Sequence, residues 1–250
     1  MIKAFFIALG LLTRIPVPNV FHITESDSEK LYGWSVLFYP LIGLIIGGLL
    51  IFVSWCLSLL VLPSNGLTEA AILLTIWVLI TGALHLDGLA DSADAWLGGY
   101  GDQQRTLEIM KDPYSGPTAV VILVLILLLK FSTLVVVEWQ VLLLAPVLAR
   151  TSVMVLLATT PYVRIGGMGE TAAKNLPKQT VWLSLLIIMS LSVFLLQEKS
   201  WGLIILFVIA YLFRRLMIKR LQGTTGDTSG AMIEVMEVST LLVLILANSA

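Results

Sequence analysis

The sequence predicts an all-α integral membrane protein, a single domain over residues 1–250, that crosses a bilayer about seven times and adds an interfacial or re-entrant helix at its amino terminus. Three observations predict this class. Charged residues make up only 12% of the chain and hydrophobic residues 58%, where an average soluble domain is about 25% charged. Mean hydropathy is +0.97. The apolar residues also fall into separate runs, each long enough or nearly long enough to cross about 30 Å of hydrocarbon.

The amino-terminal stretch MIKAFFIALGLLTRIPVP places Lys3 before a short apolar run. No small-residue cleavage pattern follows, and Arg14 and two prolines come at once, so the stretch reads as a retained helix rather than a signal peptide. The predicted spans are residues 34–62, 70–86, 118–137, 139–160, 181–196, 201–213 and 231–247. The first is long and broken by Pro40, and it contains the pair Gly43-x-x-x-Gly47, a spacing that lets two membrane helices approach closely. The sixth is short and has to borrow flanking residues. Cys56 is the only cysteine and lies in an apolar run, which excludes an intrachain disulfide and a cysteine metal site. With only two histidines, a zinc centre is not expected.

Seven spans put the amino terminus and the loops 87–117, 161–180 and 214–230 on one side. That side holds 12 of the 15 basic residues; Lys199 lies opposite, and Lys130 and Arg150 fall within spans. The excess of basic residues assigns that side to the cytoplasm. No repeat, low-complexity tract or soluble domain interrupts the pattern, and no nucleic-acid partner is expected. Association into a homo-oligomer stays open.

The chemistry concentrates in HLDGLADSADA, residues 85–95, directly after an apolar run. On a helix, Asp91 lies about 40° from Asp87 and Asp94 about 20° to the other side, so the three carboxylates share one face about 10 Å long. Like charges at that spacing call for a cation. A set of carboxylates alone selects a hard one, and Mg²⁺ typically takes a few carboxylates together with substrate phosphates. The plain alternative is a solvated helix end. Beyond the flexible Gly98, Gly99 and Gly101, Asp102 can cap a short helix that carries Arg105, Glu108 and Lys111 at three-residue intervals. That strip is either an ordinary ion-paired surface or a phosphate-facing one. A second acidic stretch, GTTGDTSGAMIEVME at 223–237, sets Asp227 and Glu234 on one helical face behind Gly223, Gly226 and Gly230. It lacks the spacing of a nucleotide fingerprint. Two acidic helix ends meeting around a metal and a diphosphate would account for both stretches.

The motifs TRIPVP (13–18), YPLIGLIIG (39–47), HLDGLAD (85–91), LEIMKD (107–112) and TGD with its following glycine (225–230) resemble those of the cobalamin synthase family, the adenosylcobinamide-GDP ribazoletransferases, in order and spacing. Two departures are Ala95, where the family generally has glycine after the third aspartate, and PYSGPTA after LEIMKD. The resemblance implies a Mg²⁺-dependent membrane enzyme of the bacterial or archaeal cytoplasmic membrane, its active site on the cytoplasmic face. It would join adenosylcobinamide-GDP to α-ribazole or its 5′-phosphate with loss of GMP. On this reading Asp87, Asp91, Asp94 and Asp227 hold the metal. His85, Asp91 and Asp94 are the catalytic candidates, with His85 or a spare aspartate taking the ribose hydroxyl proton. Arg105 and Lys111 neutralise the departing GMP, and Arg14, Arg150, Tyr162, Arg164 and Gly226 are further substrate contacts. The rival readings are another Mg²⁺-dependent membrane transferase, of the CDP-alcohol phosphotransferase or prenyltransferase type, and an ion-coupled transporter. The first lacks its arginine after Asp94, and the second should carry its acids near mid-span.

Overall fold

The computed structural model describes residues 1–17, 25–59, 66–112 and 114–247. Twelve helices are found among them and no strand; Tyr162 and Thr224 form one isolated bridge. The end of the first predicted span (60–62), Pro18 of TRIPVP and Pro113 lie outside the described residues.

Helix α1 (Ile2–Leu12) is apolar but shorter than a span, and it packs against α2 (Glu25–Ser35) and α3 (Tyr39–Leu59). A 3-10 turn at Val36–Phe38 joins α2 to α3, so that residues Glu29–Leu59 form one continuous run. Pro40, expected to break this span, lies in the first turn of α3 directly after the 3-10 turn, and the run continues through it. Gly43 and Gly47 then let α3 lie directly on the backbone of α8 (Trp139–Thr159): a Cβ at either would overlap Leu143, Pro146 or Val147. The paired glycines therefore serve helix packing.

The second predicted span does not continue straight into the aspartates. Helix α4 (Leu67–Thr81) ends at Gly82 and Ala83, both left-handed with φ of 60° and 56°. Helix α5 (Leu84–Gly98) then departs at 85°. His85 and Leu86 thus belong to α5 and not to the apolar span, and Asp87 onward lies beyond the span's end. The αL geometry suits Gly82, and the Arg14 side chain occupies the space a Cβ would need there.

Helix α6 (Gln103–Ile109) is capped by Asp102, whose carboxylate accepts from the Arg105 N–H at 2.9 Å. Helices α7 (Pro117–Leu134), α8, α9 (Met168–Lys174), α10 (Lys178–Leu196), α11 (Gly202–Leu221) and α12 (Gly226–Leu246) complete the chain. Among the described residues, five runs are separately long and apolar enough to cross a membrane, or six with the bent α4–α5 pair. One of them, Lys178–Leu221, has 44 residues. At 1.5 Å per residue it would extend about 66 Å, twice a bilayer core. It is broken after Leu196, where Gln197 adopts a positive φ of 49°. Counting it as two crossings and the bent pair as one gives the predicted seven. The predicted sixth span is longer than its apolar residues indicated, because α11 continues through Arg214, Arg215, Lys219 and Arg220. Helices α8 and α12 form the centre, whereas α7, α10 and α11 turn most of their apolar surface outward.

Candidate functional site

The site forms where α5 crosses the start of α12. A Cβ on Gly88 would come within 2.6 Å of the Asp227 carbonyl oxygen, and one on Gly230 within 3.3 Å of the His85 Cα. Glycine on both surfaces lets the two backbones touch. The start of α12 is fixed by a capping box: the Thr225 hydroxyl accepts from the Thr228 N–H, and the Thr228 hydroxyl accepts from the Thr225 N–H. The first-turn Asp227 is thereby held beside α5.

Asp87 is exposed on α5, Asp91 is half-buried, and Leu86, Leu89, Ala90 and Ser92 face inward. Partial burial, reinforced by the charges of Asp87 and Asp227, pushes the Asp91 carboxyl up to about 6. Negative charge is in surplus at this rim. Arg164, from the loop after α8, meets it with Nη1 2.9 Å from an Asp227 oxygen. Tyr162, two residues earlier, packs against Gly169, and its hydroxyl lies near Gly226. Burial and the Asp227 charge raise its pKa. Arg164 and Asp227 line a cavity of about 280 Å³ with Lys111, Thr225 and apolar side chains that include Met110 and Val163. Thr225 and Asp227 bring the amino terminus of α12 to its wall, where the helix dipole favours an anion.

The structure thus brings together Asp87, Asp91, Asp227, Lys111, Arg164 and Gly226. The other sequence candidates lie elsewhere. Both Asp94 oxygens accept backbone N–H groups at the start of α7, from Gly116 and from Ala119 (2.9 Å), so this carboxylate fastens α7 to α5. Arg105 stacks over the Tyr100 ring, 5.8 Å from its centroid, and does not line the cavity. Arg14 covers the α4–α5 turn, its N–H bonded to the Ile80 carbonyl at 2.7 Å.

His85 and Arg150 are buried in a network that sequence reasoning missed. Lys130 of α7 lies between Glu234 (2.7 Å) and Glu237 of α12, and Arg150 of α8 pairs with Glu237. The Trp77 indole donates to Glu237 at 3.2 Å, and Arg150 Nη2 lies 3.5 Å from His85 Nδ1. Glu234 therefore does not join Asp227 at the rim, although seven residues of helix put them on one face. The signal was present in the sequence as a lysine and an arginine inside spans, each needing a partner. Which acids would answer them was not.

No group of three or more acidic, histidine or cysteine side chains among the described residues is gathered closely enough to hold a metal unaided. Mg²⁺ does not require one. It retains waters and binds through one or two carboxylates plus substrate phosphates, so the rim fits that mode.

The chain matches the model of the cobalamin-5-phosphate synthase family over residues 4–245. It is 49% identical to an adenosylcobinamide-GDP ribazoletransferase of Pseudomonas putida over 252 residues, 98% of this chain and 99% of the relative. It is 47% identical to the Pseudomonas fluorescens protein of that name over 246 residues, 95% and 97% of the two chains. With the Stutzerimonas stutzeri protein it shares 47% over 240 residues, 94% and 95% of the two chains. No solved structure matches.

Proposed function

The chain belongs to the cobalamin-5-phosphate synthase family, and from that premise we infer that it is an adenosylcobinamide-GDP ribazoletransferase acting at the α5–α12 rim. A ribose hydroxyl of α-ribazole, or of its 5′-phosphate, attacks the cobinamide-bearing phosphorus of adenosylcobinamide-GDP. A P–O bond forms, the P–O bond to GMP breaks, GMP leaves as the phosphate anion, and the hydroxyl proton passes to solvent water. The observation that carries this reading is the meeting of Asp87 and Asp91 with Asp227 and Arg164, because phosphoryl transfer depends on positioning and charge neutralisation more than on an elaborate nucleophile.

One or two of the carboxylates Asp87, Asp91 and Asp227, together with substrate phosphate oxygens and water, would hold Mg²⁺. When bound, the ion supplies positive charge against the diphosphate oxygens. Arg164 exchanges its contact with Asp227 for a phosphate oxygen, and Lys111 neutralises the departing nucleotide. Gly226, exposed at the amino terminus of α12, leaves room for a phosphate against the backbone. Asp94 holds the start of α7 in place and influences the rim as a nearby charge.

Incubating the purified protein in detergent with adenosylcobinamide-GDP, α-ribazole 5′-phosphate and Mg²⁺ is expected to release GMP and form the joined product. Absence of both would overturn the reading. Asp87→Asn, Asp227→Asn and the double variant are expected to show similar residual GMP release, because groups acting on one step as a unit cannot be lost twice. Losses that multiply would place Asp227 at an independent site.

The rim faces the cytoplasm on this reading, supported by the 12 of 15 basic residues predicted on its side. Reporter fusions after Gly101 and after Ala250 are expected to give opposite signals, cytoplasmic for the first. Matching signals would contradict an odd number of crossings between the two points.

A further inference from the structure

We propose that the cleft between α8, α10 and α11 binds an anionic phospholipid of the surrounding bilayer, its acyl chains in the cleft and its phosphate at Arg214. Helices α10 and α11 are consecutive in the chain, yet α10 packs chiefly on α8 and α11 on α12, which leaves a gap between them. The gap has a volume of about 410 Å³ and reaches Met232 and Met236 of α12. Its mouth is flanked by Trp182 and Phe207, both exposed on the apolar outer layer of the bundle.

An empty gap of this kind forfeits the dispersion contacts of its walls. Water is a poor occupant, since a buried water needs two to four polar partners. The wall hydroxyls of Thr151 and Ser152 are already turned back to the Val147 and Ala149 carbonyls, at 2.8 and 2.6 Å. Hydrocarbon is what the gap accepts and what surrounds it.

Among the described residues that line the cleft, Arg214 at one end is the only charged one. Arg214 donates from Nε to the hydroxyls of Thr159 and Thr160, at 3.1 and 2.9 Å, and from Nη2 to the Thr159 carbonyl. Among the described residues it has no carboxylate partner within salt-bridge distance, which leaves its charge uncompensated. Arg215 follows, over the Tyr211 ring at 5.8 Å, and Lys219 and Arg220 end the helix. An apolar trough closed by unpaired cations matches one fatty, negatively charged amphiphile, and cations at a membrane surface each favour anionic headgroups. Methionines on the floor suit a flexible occupant, because they repack easily.

Native mass spectrometry of the detergent-purified protein is expected to show one retained phosphatidylglycerol-class lipid per chain. Ala210→Trp, which fills the cleft from α11, is expected to lose it while GMP release persists. Arg214→Gln is expected to abolish the preference for anionic over zwitterionic lipid. In delipidated protein, phosphatidylglycerol vesicles should raise the thermal midpoint more than phosphatidylcholine vesicles, and Ala210→Trp should erase that difference. Unchanged lipid retention in Ala210→Trp, equal response to the two lipids in the unsubstituted protein, or disulfide crosslinking of Phe207→Cys between copies as the dominant species would each overturn the proposal. If Ala210→Trp does not fold, the lipid preference of Arg214→Gln decides.

Discussion

Asp91→Asn is expected to lower GMP release by about a hundred- to a thousand-fold, the scale on which removal of one strong transition-state electrostatic contact acts, while the protein still inserts and folds. Asp91 is the carboxylate on which the rim converges: Asp87 precedes it by one helical turn, Asp227 faces it from α12, and its burial, reinforced by their charges, pushes its carboxyl up to about 6. Replacing it with the isosteric amide removes a charge from a crowded acidic patch, so folding is not penalised; the unliganded protein gains slightly. On the proposed function, what disappears is a ligand for the cation and, with it, charge balance at the diphosphate. Mg²⁺-dependent thermal stabilisation of substrate-free protein gives a readout apart from activity, and it should shrink or vanish in Asp91→Asn. Near-normal GMP release by the variant at low Mg²⁺ would contradict the carboxylate rim.

The parts of this structure legible in the sequence are those fixed by local pattern. Hydrophobic runs revealed the spans, because bilayer thickness sets a length that a reader can count. The face shared by Asp87 and Asp91 followed from helical rise and twist, and Asp102 was recognisable as a cap because capping is a contact between neighbours in sequence. The break at Gly82–Ala83 was not legible. Alanine in the left-handed region is tolerated only where tertiary packing, here Arg14 against the turn, overrides local preference. Asp94 has the right spacing for the acidic face, yet both its oxygens are taken by the amino terminus of α7, a partner more than twenty residues away whose proximity no periodicity reports. Arg150 lies inside a span and so needs a partner, whereas His85 reads as a catalytic candidate beside the aspartates. Finding that Arg150 pairs with Glu237 of α12 and lies against His85 required the packing of α5, α8 and α12, which no local pattern reports.

Removal of Lys130 is expected to destabilise the bundle by about 3–5 kcal/mol, because breaking a buried ion pair leaves an uncompensated charge in a low-dielectric interior. The network contains two cations, Lys130 and Arg150, and two anions, Glu234 and Glu237, all essentially inaccessible and tied together across α7, α8 and α12. Lys130→Met leaves two carboxylates facing one guanidinium. Glu234→Met leaves two cations facing one carboxylate. The double variant Lys130→Met/Glu234→Met removes one charge of each sign and preserves the Arg150–Glu237 pair. If charge balance is what the network supplies, the double variant is expected to be more stable than either single one, against the usual accumulation of damage. Replacing a complete buried pair by apolar side chains is often neutral or favourable. Unfolding midpoints in a denaturing-detergent titration measure this directly, and losses that simply add would show that each contact acts alone. The same experiment bears on function, since Arg150 lies against His85, two residues before Asp87 on α5. A bundle that tolerates the double variant should keep Asp87 and Asp91 in register with Asp227, and should release GMP at close to the unsubstituted rate.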